Sequence, residues 1–161
     1  MRIKTIADED FVNYKKSSMF IGTISCNGKC WREQGLDNSI CQNSGWQNTA
    51  THEVSDEEII NRYLHNPITS AIVFGGLEPM DQYGELFSLI SKLRIEYGCD
   101  DDVVIYTGYN KSEIEGKIAM LSMFQNIVVK FGRYYPSQEA HYDDVLGVYL
   151  VSDNQYAERI S

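Results

Sequence analysis

Short apolar runs alternate along the chain with longer segments whose apolar residues recur every three or four positions. The runs are rich in β-branched residues and end at glycine or polar clusters, which is typical of buried strands. They predict a short edge strand at residues 2–7 and core strands at residues 19–25, 71–74, 102–106, 127–131 and 146–151. The polar segment 8–16 is predicted to be a loop.

The segments between these runs predict helices. Ser55-Asp56-Glu57-Glu58 is a capping box, in which the Ser55 hydroxyl accepts a helix N–H and Glu58 reaches back to the cap. Further helices are predicted at residues 82–97 and around residues 114–121. Alternating strands and helices imply right-handed crossovers and a mostly parallel sheet with helices outside.

The length of the chain limits the kind of sheet. A closed eight-unit barrel usually needs ~250 residues, and this chain has 161. We therefore predict an α/β fold, an open, incomplete parallel (β/α) barrel of about five strands with outer helices. Since no repeat or linker is visible, residues 1–161 are expected to form a single domain.

Charge and hydropathy restrict the partners. There are 23 acidic and 14 basic residues, which gives a net charge of −9. A surface of this sign repels phosphate backbones, so no nucleic-acid partner is expected. No signal-peptide pattern opens the sequence, and no run approaches the ~20 apolar residues of a membrane span. We expect a cytoplasmic protein with no membrane partner, whose thiols stay reduced.

Three of the four cysteines follow the first core strand in the spacing C-x3-C-x10-C: Cys26, Cys30 and Cys41. Clustered thiols in a reducing compartment indicate metal or redox chemistry before disulfides. They are consistent with buried apolar side chains, with a structural zinc completed by a histidine such as His52, or with a [4Fe–4S] cluster. In a cluster, three thiolates would leave one iron open for a substrate or cofactor. Cys99, near a predicted helix end, is interpreted as structural.

Two further motifs follow predicted strands and so fall on the same edge of the sheet as the cysteine loop. In Gly75-Gly76-Leu77-Glu78-Pro79, the glycine pair permits close approach of the backbone to a ligand, and Glu78 adds a carboxylate beside the rigid Pro79. Thr107-Gly108-Tyr109 ends the strand at residues 102–106. The convergence of the three motifs predicts a ligand site at this edge.

In this order the motifs resemble those of the radical S-adenosylmethionine enzymes, and they are most similar to the activating proteins of anaerobic ribonucleoside-triphosphate reductase. Residues 41–46 resemble that family's third cysteine with its following Asn and Trp. Residues 129–134 resemble its glycine-aromatic strand end, and residues 152–155 its closing Ser-x-Asn-Gln. The resemblance extends over nearly the whole chain.

Three features depart from the family pattern. Ten residues separate Cys30 from Cys41, where the family usually has two, and Ile40 replaces an aromatic residue before the third cysteine. A longer surface loop can still return Cys41 to the cluster, because its closure costs little extra entropy. Lys130 also stands where the family tends to carry an acid. In the family, the aromatic residue before the third cysteine is expected to contact the adenine of the cofactor. Because Ile40 stands at that position here, Trp31 or Tyr106 is the expected substitute for this contact.

The resemblance implies a radical S-adenosylmethionine oxidoreductase that activates a glycyl-radical enzyme. Cys26, Cys30 and Cys41 would hold three irons of a [4Fe–4S] cluster, and the fourth iron would chelate S-adenosylmethionine. Glu78 and the glycine pair would orient the amino group of that cofactor. The implied cofactor-binding residues are Gly75, Gly76, Glu78, Pro79, Thr107, Gly108, Tyr109 and Asn154.

The partners implied by the resemblance are the large glycyl-radical subunit of the reductase and a reductant such as flavodoxin or ferredoxin. Two alternatives stay open. The chain could be a radical S-adenosylmethionine enzyme that acts on another protein or on a small molecule. It could also be a non-catalytic regulatory module that binds zinc or an iron–sulfur cluster.

Overall fold

The computed structural model describes the whole chain, residues 1–161. The strands are β1 (Arg2–Ile3), β2 (Thr5–Asp10), β3 (Ser18–Gly22), β4 (His52–Glu53), β5 (Ala71–Gly75), β6 (Asp102–Tyr106), β7 (Ile127–Phe131), β8 (His141–Asp143), β9 (Val148–Leu150) and β10 (Tyr156–Arg159). The α-helices are α1 (Lys29–Arg32), α2 (Asp56–Leu64), α3 (Tyr83–Ile95) and α4 (Glu115–Leu121). Short 3₁₀ turns lie at Asn38–Ile40, Ser44–Asn48, Pro79–Gln82 and Lys111–Glu113. None of these helices is both long and apolar enough to cross a bilayer.

Six strands form one sheet in the order β10-β7-β6-β5-β3-β2. The four central strands β3, β5, β6 and β7 are parallel, whereas the edge strands β2 and β10 run antiparallel to their neighbours. The parallel centre follows from the alternation of strands and helices in the sequence. The mixed α/β class is as expected, and the incomplete barrel stays a prediction.

The two ends of the sheet differ from the sequence-based expectation. Residues 146–151 were expected to form the last strand of the sheet, but β9 pairs with β8 in a separate hairpin. Gly147, at a φ of 75°, makes the tight turn of that hairpin possible. Strand β10, which the apolar pattern did not reveal, occupies the edge beside β7. Strand β2 also continues to Asp10 through the start of the expected loop.

The two faces of the sheet are covered differently. Helices α2, α3 and α4 all pack on one face, where their apolar residues join one buried cluster with alternate residues of the strands. The other face carries a smaller cluster, in which Tyr14, Leu146 and Leu150 cover the centre of the sheet. The Ser55 hydroxyl accepts the Glu58 N–H at 3.1 Å, so the predicted cap of α2 is confirmed.

Candidate functional site

A cavity of about 680 Å³ opens beside the carboxyl ends of the parallel strands. Phe20 of β3 and Tyr106 of β6 line it from the face that the long helices leave free. Its volume lies within the range of small-molecule sites, about 300–1,000 Å³. Of the residues predicted to bind a ligand, the cavity is lined by Cys26, Cys30, Cys41, Gly75, Gly76, Glu78, Thr107 and Gly108.

The cysteine loop leaves strand β3 and turns sharply at Gly28. This residue has a φ of 70° and precedes α1, so that Cys30 lies within that short helix. The Gly28 N–H donates to the Cys26 sulfur at 3.3 Å. A Cβ atom at Gly28 would lie 2.7 Å from the indole of Trp31, so the turn requires glycine. The first two thiols are thereby fixed along one wall of the cavity.

The ten-residue insert folds back and returns Cys41 to the other two thiols. Gln34 donates through Nε2 to the Tyr134 carbonyl at 2.9 Å, which ties the insert to the segment after β7. A 3₁₀ turn at Asn38–Ile40, capped by an aspartate, leads directly into Cys41. Cys41 then lines the same cavity as Cys26 and Cys30. The insert therefore does not keep Cys41 away from the other two thiols, and the role of Cys41 as a cluster ligand stays a prediction.

The three thiols ionise to different extents. The neighbouring Cys30 and Cys41 thiols influence each other's ionisation, which lowers the pKa of Cys41 to about 6 and raises the pKa of Cys30. Burial raises the pKa of Cys26. Because thiolates are the metal-binding form, Cys41 is prepared as a ligand, and the other two thiols must release protons on binding.

The Glu78 carboxylate joins the loops after β5 and β6. It is only 6% exposed, and its Oε1 accepts from Thr107 Oγ1 at 2.7 Å and from the Met80 N–H at 3.0 Å. Its Oε2 accepts from the Gly108 N–H at 2.8 Å. Burial raises the pKa of this carboxyl, and the three hydrogen bonds oppose that rise. In the structure Glu78 holds two strand-end loops together. It also lines the cavity, and its contact with a cofactor stays a prediction.

Gly76 of the glycine pair and Gly22 of β3 together accommodate an aromatic side chain. Gly76 has a φ of 80°, and a Cβ atom there would lie 2.4 Å from the Trp46 ring. Gly22 supports the same ring, since its Cβ would lie 2.7 Å from it. Trp46 also meets Phe20 edge-to-face, with ring centroids 6.0 Å apart. The two glycines therefore let Trp46 form a wall of the cavity.

Replacing Gly76 with alanine is expected to destabilise the protein by about 1–2 kcal/mol, because a left-handed backbone conformation disfavours a Cβ atom. The clash with Trp46 should also change the tryptophan fluorescence. Gly84→Ala is the matched control, since its Cβ meets no atom within 4 Å, and it should not lower the stability. Urea unfolding followed by fluorescence measures both variants. Equal stability of Gly76→Ala and the parent protein would contradict this role of Gly76.

Three predicted residues lie outside the cavity lining: Pro79, Tyr109 and Asn154. Pro79 begins the 3₁₀ turn after Glu78. The Tyr109 hydroxyl donates to Asp81 Oδ1 at 2.7 Å and accepts from Asn27 Nδ2 at 2.6 Å, so it braces the cysteine loop from outside. Asn154 donates through Nδ2 to the Arg133 carbonyl at 2.9 Å and holds the end of β7.

The cysteines and the strand-end loops fall within one family match. The family model of the 4Fe-4S single cluster domain matches residues 20–155, which is most of the chain. The chain belongs to this family. No curated protein and no solved structure gives a significant match. The 4Fe-4S single cluster domain therefore begins within β3 and includes all three clustered thiols.

The residues of this 4Fe-4S domain fit such a cluster. All four cysteines are free thiols, and the three clustered ones line one cavity. No three His, Cys, Asp or Glu side chains are arranged around a single metal ion. Ligands of a cluster bind different irons, so they need not converge on one point. His52 is exposed on β4 and does not line the cavity, so the structure does not bring it to the thiols.

Several residues that line the cavity of the 4Fe-4S domain have no role assigned from the sequence, among them Trp46 and Arg133. Trp46 stands in a recognised motif, but the position of its ring depends on distant loops. Gln155, expected together with Asn154 to line the ribose or methionine end of the cofactor, does line the cavity. Arg133 forms ion pairs with Glu113 at 2.7 Å and with Glu33 at 2.8 Å, and so fixes the loop after α1 against β7. Trp31 and Tyr106, the expected aromatic substitutes, both line the cavity.

Proposed function

We propose that this 4Fe-4S protein is a radical S-adenosylmethionine enzyme that activates a glycyl-radical reductase. One observation carries the proposal: three free thiols share a cavity with the Gly75-Gly76 and Thr107-Gly108 strand ends. Three thiolates complete the protein ligands of three irons and leave a fourth iron open toward the cavity. An open iron beside a cavity of small-molecule size favours chemistry over electron storage alone.

In this proposal Cys26, Cys30 and Cys41 bind the cluster, and the cavity beside them binds S-adenosylmethionine. When bound, the cluster would pass an electron from the reductant to S-adenosylmethionine, and the chemistry this would supply is cleavage to methionine and a 5′-deoxyadenosyl radical able to take a hydrogen atom from a glycine of the partner. The protein residues position the ligand and exclude water. Glu78 contributes by fixing the backbone around Gly108, and Tyr106 supplies an aromatic surface for the adenine.

An unsatisfied polar atom supports a ligand in this cavity. Gln155 is buried and lines the cavity, yet its Oε1 has no hydrogen-bond partner. Its Nε2 already donates to the Gly132 carbonyl at 3.3 Å, which fixes the orientation of the amide. A buried acceptor without a donor is costly, so a ligand with hydroxyl or amino groups fits this position.

The rim of the cavity supports a macromolecular substrate. Val12 and Tyr149 both line the cavity and are each 73% exposed. Exposed apolar residues of this kind favour protein contacts, and we propose the large glycyl-radical subunit as the partner. Flavodoxin or ferredoxin is the proposed reductant. A cytoplasmic, reducing location would keep the thiols available to iron.

Anaerobic reconstitution with iron and sulfide tests the proposal without any partner. Reduced with dithionite and given S-adenosylmethionine, the protein is expected to release methionine and 5′-deoxyadenosine in equal amounts, measured by liquid chromatography and mass spectrometry. Protein left without iron is the control and should release neither product. A protein that carries the full cluster and forms no 5′-deoxyadenosine would refute the radical S-adenosylmethionine assignment.

A further inference from the structure

Lys130 places a positive charge inside the cavity. Lys130 is only 7% exposed, and it lines the cavity together with the three clustered cysteines. The ammonium donates to the Gly132 carbonyl at 2.8 Å. No carboxylate lies within ion-pairing distance, 4.0 Å, of it. An ammonium has three N–H donors, so most of its hydrogen-bonding capacity faces the cavity unused.

Arg133 is the other cation that lines the cavity, and its positive charge is paired with two carboxylates. Its guanidinium pairs with Glu113 at 2.7 Å and with Glu33 at 2.8 Å. Lys130 is therefore the one positive charge of the cavity wall that has no ion-pair partner. Burying an unpaired ammonium is costly, so an anionic group in the cavity is needed to offset the cost.

Two groups in the site favour the charged form of Lys130. Burial lowers the pKa of Lys130 to about 8, and the Glu78 carboxylate opposes that change, as does Cys30 when its thiol is ionised. The Glu78 carboxylate already accepts three hydrogen bonds from its own loops. Cluster binding would convert the three cysteines to thiolates, which are thus the remaining source of negative charge that the Lys130 ammonium can compensate.

We propose that Lys130 is the counter-charge of the cluster and raises its reduction potential. The inference rests on the proposed assignment of Cys26, Cys30 and Cys41 as cluster ligands. Reduction adds one electron, taken from dithionite or from the protein reductant, and makes the thiolate-bound cluster more negative. A fixed cation in a poorly solvated site stabilises that reduced form more than the oxidised form. Net charge near a cluster is one of the terms that set its potential.

The experiment is a redox titration of reconstituted protein, followed by electron paramagnetic resonance, without S-adenosylmethionine. Lys130→Met keeps the length of the side chain and removes the charge, and Lys130→Arg keeps the charge. We expect Lys130→Met to lower the equilibrium constant for reduction about tenfold, a shift of about 59 mV to more negative potential. Lys130→Arg should shift it by less than about a third of that. Lys111→Met is the matched control, because Lys111 is exposed and paired with Glu158. The reduction potential of the cluster should not change in this variant.

A second variant keeps the test valid if Lys130→Met fails to take up iron. Gln155 and Lys130 both donate to the Gly132 carbonyl, so Gln155→Glu places a carboxylate beside the ammonium and cancels its charge. This variant should shift the potential in the same direction as Lys130→Met. An unchanged potential in Gln155→Glu, or in iron-loaded Lys130→Met, would overturn the proposal.

A weaker affinity of Lys130→Met for S-adenosylmethionine at an unchanged potential would assign Lys130 to the ligand instead, and would also overturn it. Failure of the proposed function shows itself separately. In that case the reconstituted parent protein would not cleave S-adenosylmethionine, while the cluster potential would still depend on Lys130.

Discussion

Cys41→Ala is expected to lose the cluster and, with it, the cleavage of S-adenosylmethionine. The neighbouring Cys30 lowers the pKa of Cys41 to about 6, whereas the pKa values of Cys26 and Cys30 are raised, so Cys41 is the most readily ionised thiol of the site. Loss of even an outer-shell partner of a metal commonly costs 10–100-fold. Loss of a direct ligand should therefore reduce 5′-deoxyadenosine formation by more than about 100-fold. Iron and sulfide analysis after anaerobic reconstitution should show a corresponding loss.

Cys99→Ala is the matched control for this variant. Cys99 lies outside the cavity, and its thiol faces Asp101 Oδ2 at 3.7 Å. It should retain the parent's iron content and cleavage rate. If Cys41→Ala kept the full complement of iron and sulfide, the assignment of the third ligand across the ten-residue insert would be wrong.

Glu78→Ala should destabilise the fold more than a typical surface change. It removes the acceptor of three hydrogen bonds and leaves Thr107 Oγ1 and the N–H groups of Met80 and Gly108 without a partner. Buried donors that lose a charged acceptor cost about 1.5–3 kcal/mol, and the effects are not additive. We expect a loss of about 3 kcal/mol in the free energy of unfolding, measured by urea denaturation of the protein before iron is added.

A second variant of Glu78 separates its hydrogen bonds from its charge. Glu78→Gln keeps one carbonyl oxygen for Thr107 and Met80 but turns an NH₂ group toward the Gly108 N–H, so it should lose less than alanine does. Glu139→Ala is the surface control, because Glu139 is exposed, and its stability should match the parent's. A stability of Glu78→Ala within about 0.5 kcal/mol of the parent protein would exclude the bracing role.

The centre of the fold follows from local sequence, and its edges do not. Strands β5, β6 and β7 are nearly continuous apolar runs, as expected for strands buried on both faces, and are interrupted only by Asp102 and Lys130. Helix α2 is capped at its N-terminus by Ser55, whose hydroxyl accepts the Glu58 N–H as the capping pattern predicts. Strand β10, in contrast, alternates exposed and buried residues, and only Ala157 is fully covered. Residues 148–150 look equally strand-like, so the sequence alone could not decide which of the two segments joins the sheet.

In the candidate site, too, some features can be predicted from local sequence and others cannot. The cysteine spacing and the glycine pair identify the loops, because metal chemistry and backbone freedom depend on residue type. The role of Glu78 depends on the meeting of loops that are 29 and 30 residues apart in the chain. The contact of Trp46 with Gly76 and the unpaired charge of Lys130 also require the folded structure. Long-range polar contacts of this kind leave no periodic signal in the sequence.

Mössbauer spectroscopy of isotopically enriched, reconstituted protein tests the central claim most directly: that three thiols hold a cluster whose fourth iron is open to the cavity. We predict that addition of S-adenosylmethionine changes the signal of one of the cluster's four irons, because only that iron lacks a cysteine ligand. A spectrum that does not respond to S-adenosylmethionine, or a protein that binds one zinc and no iron, would contradict the account.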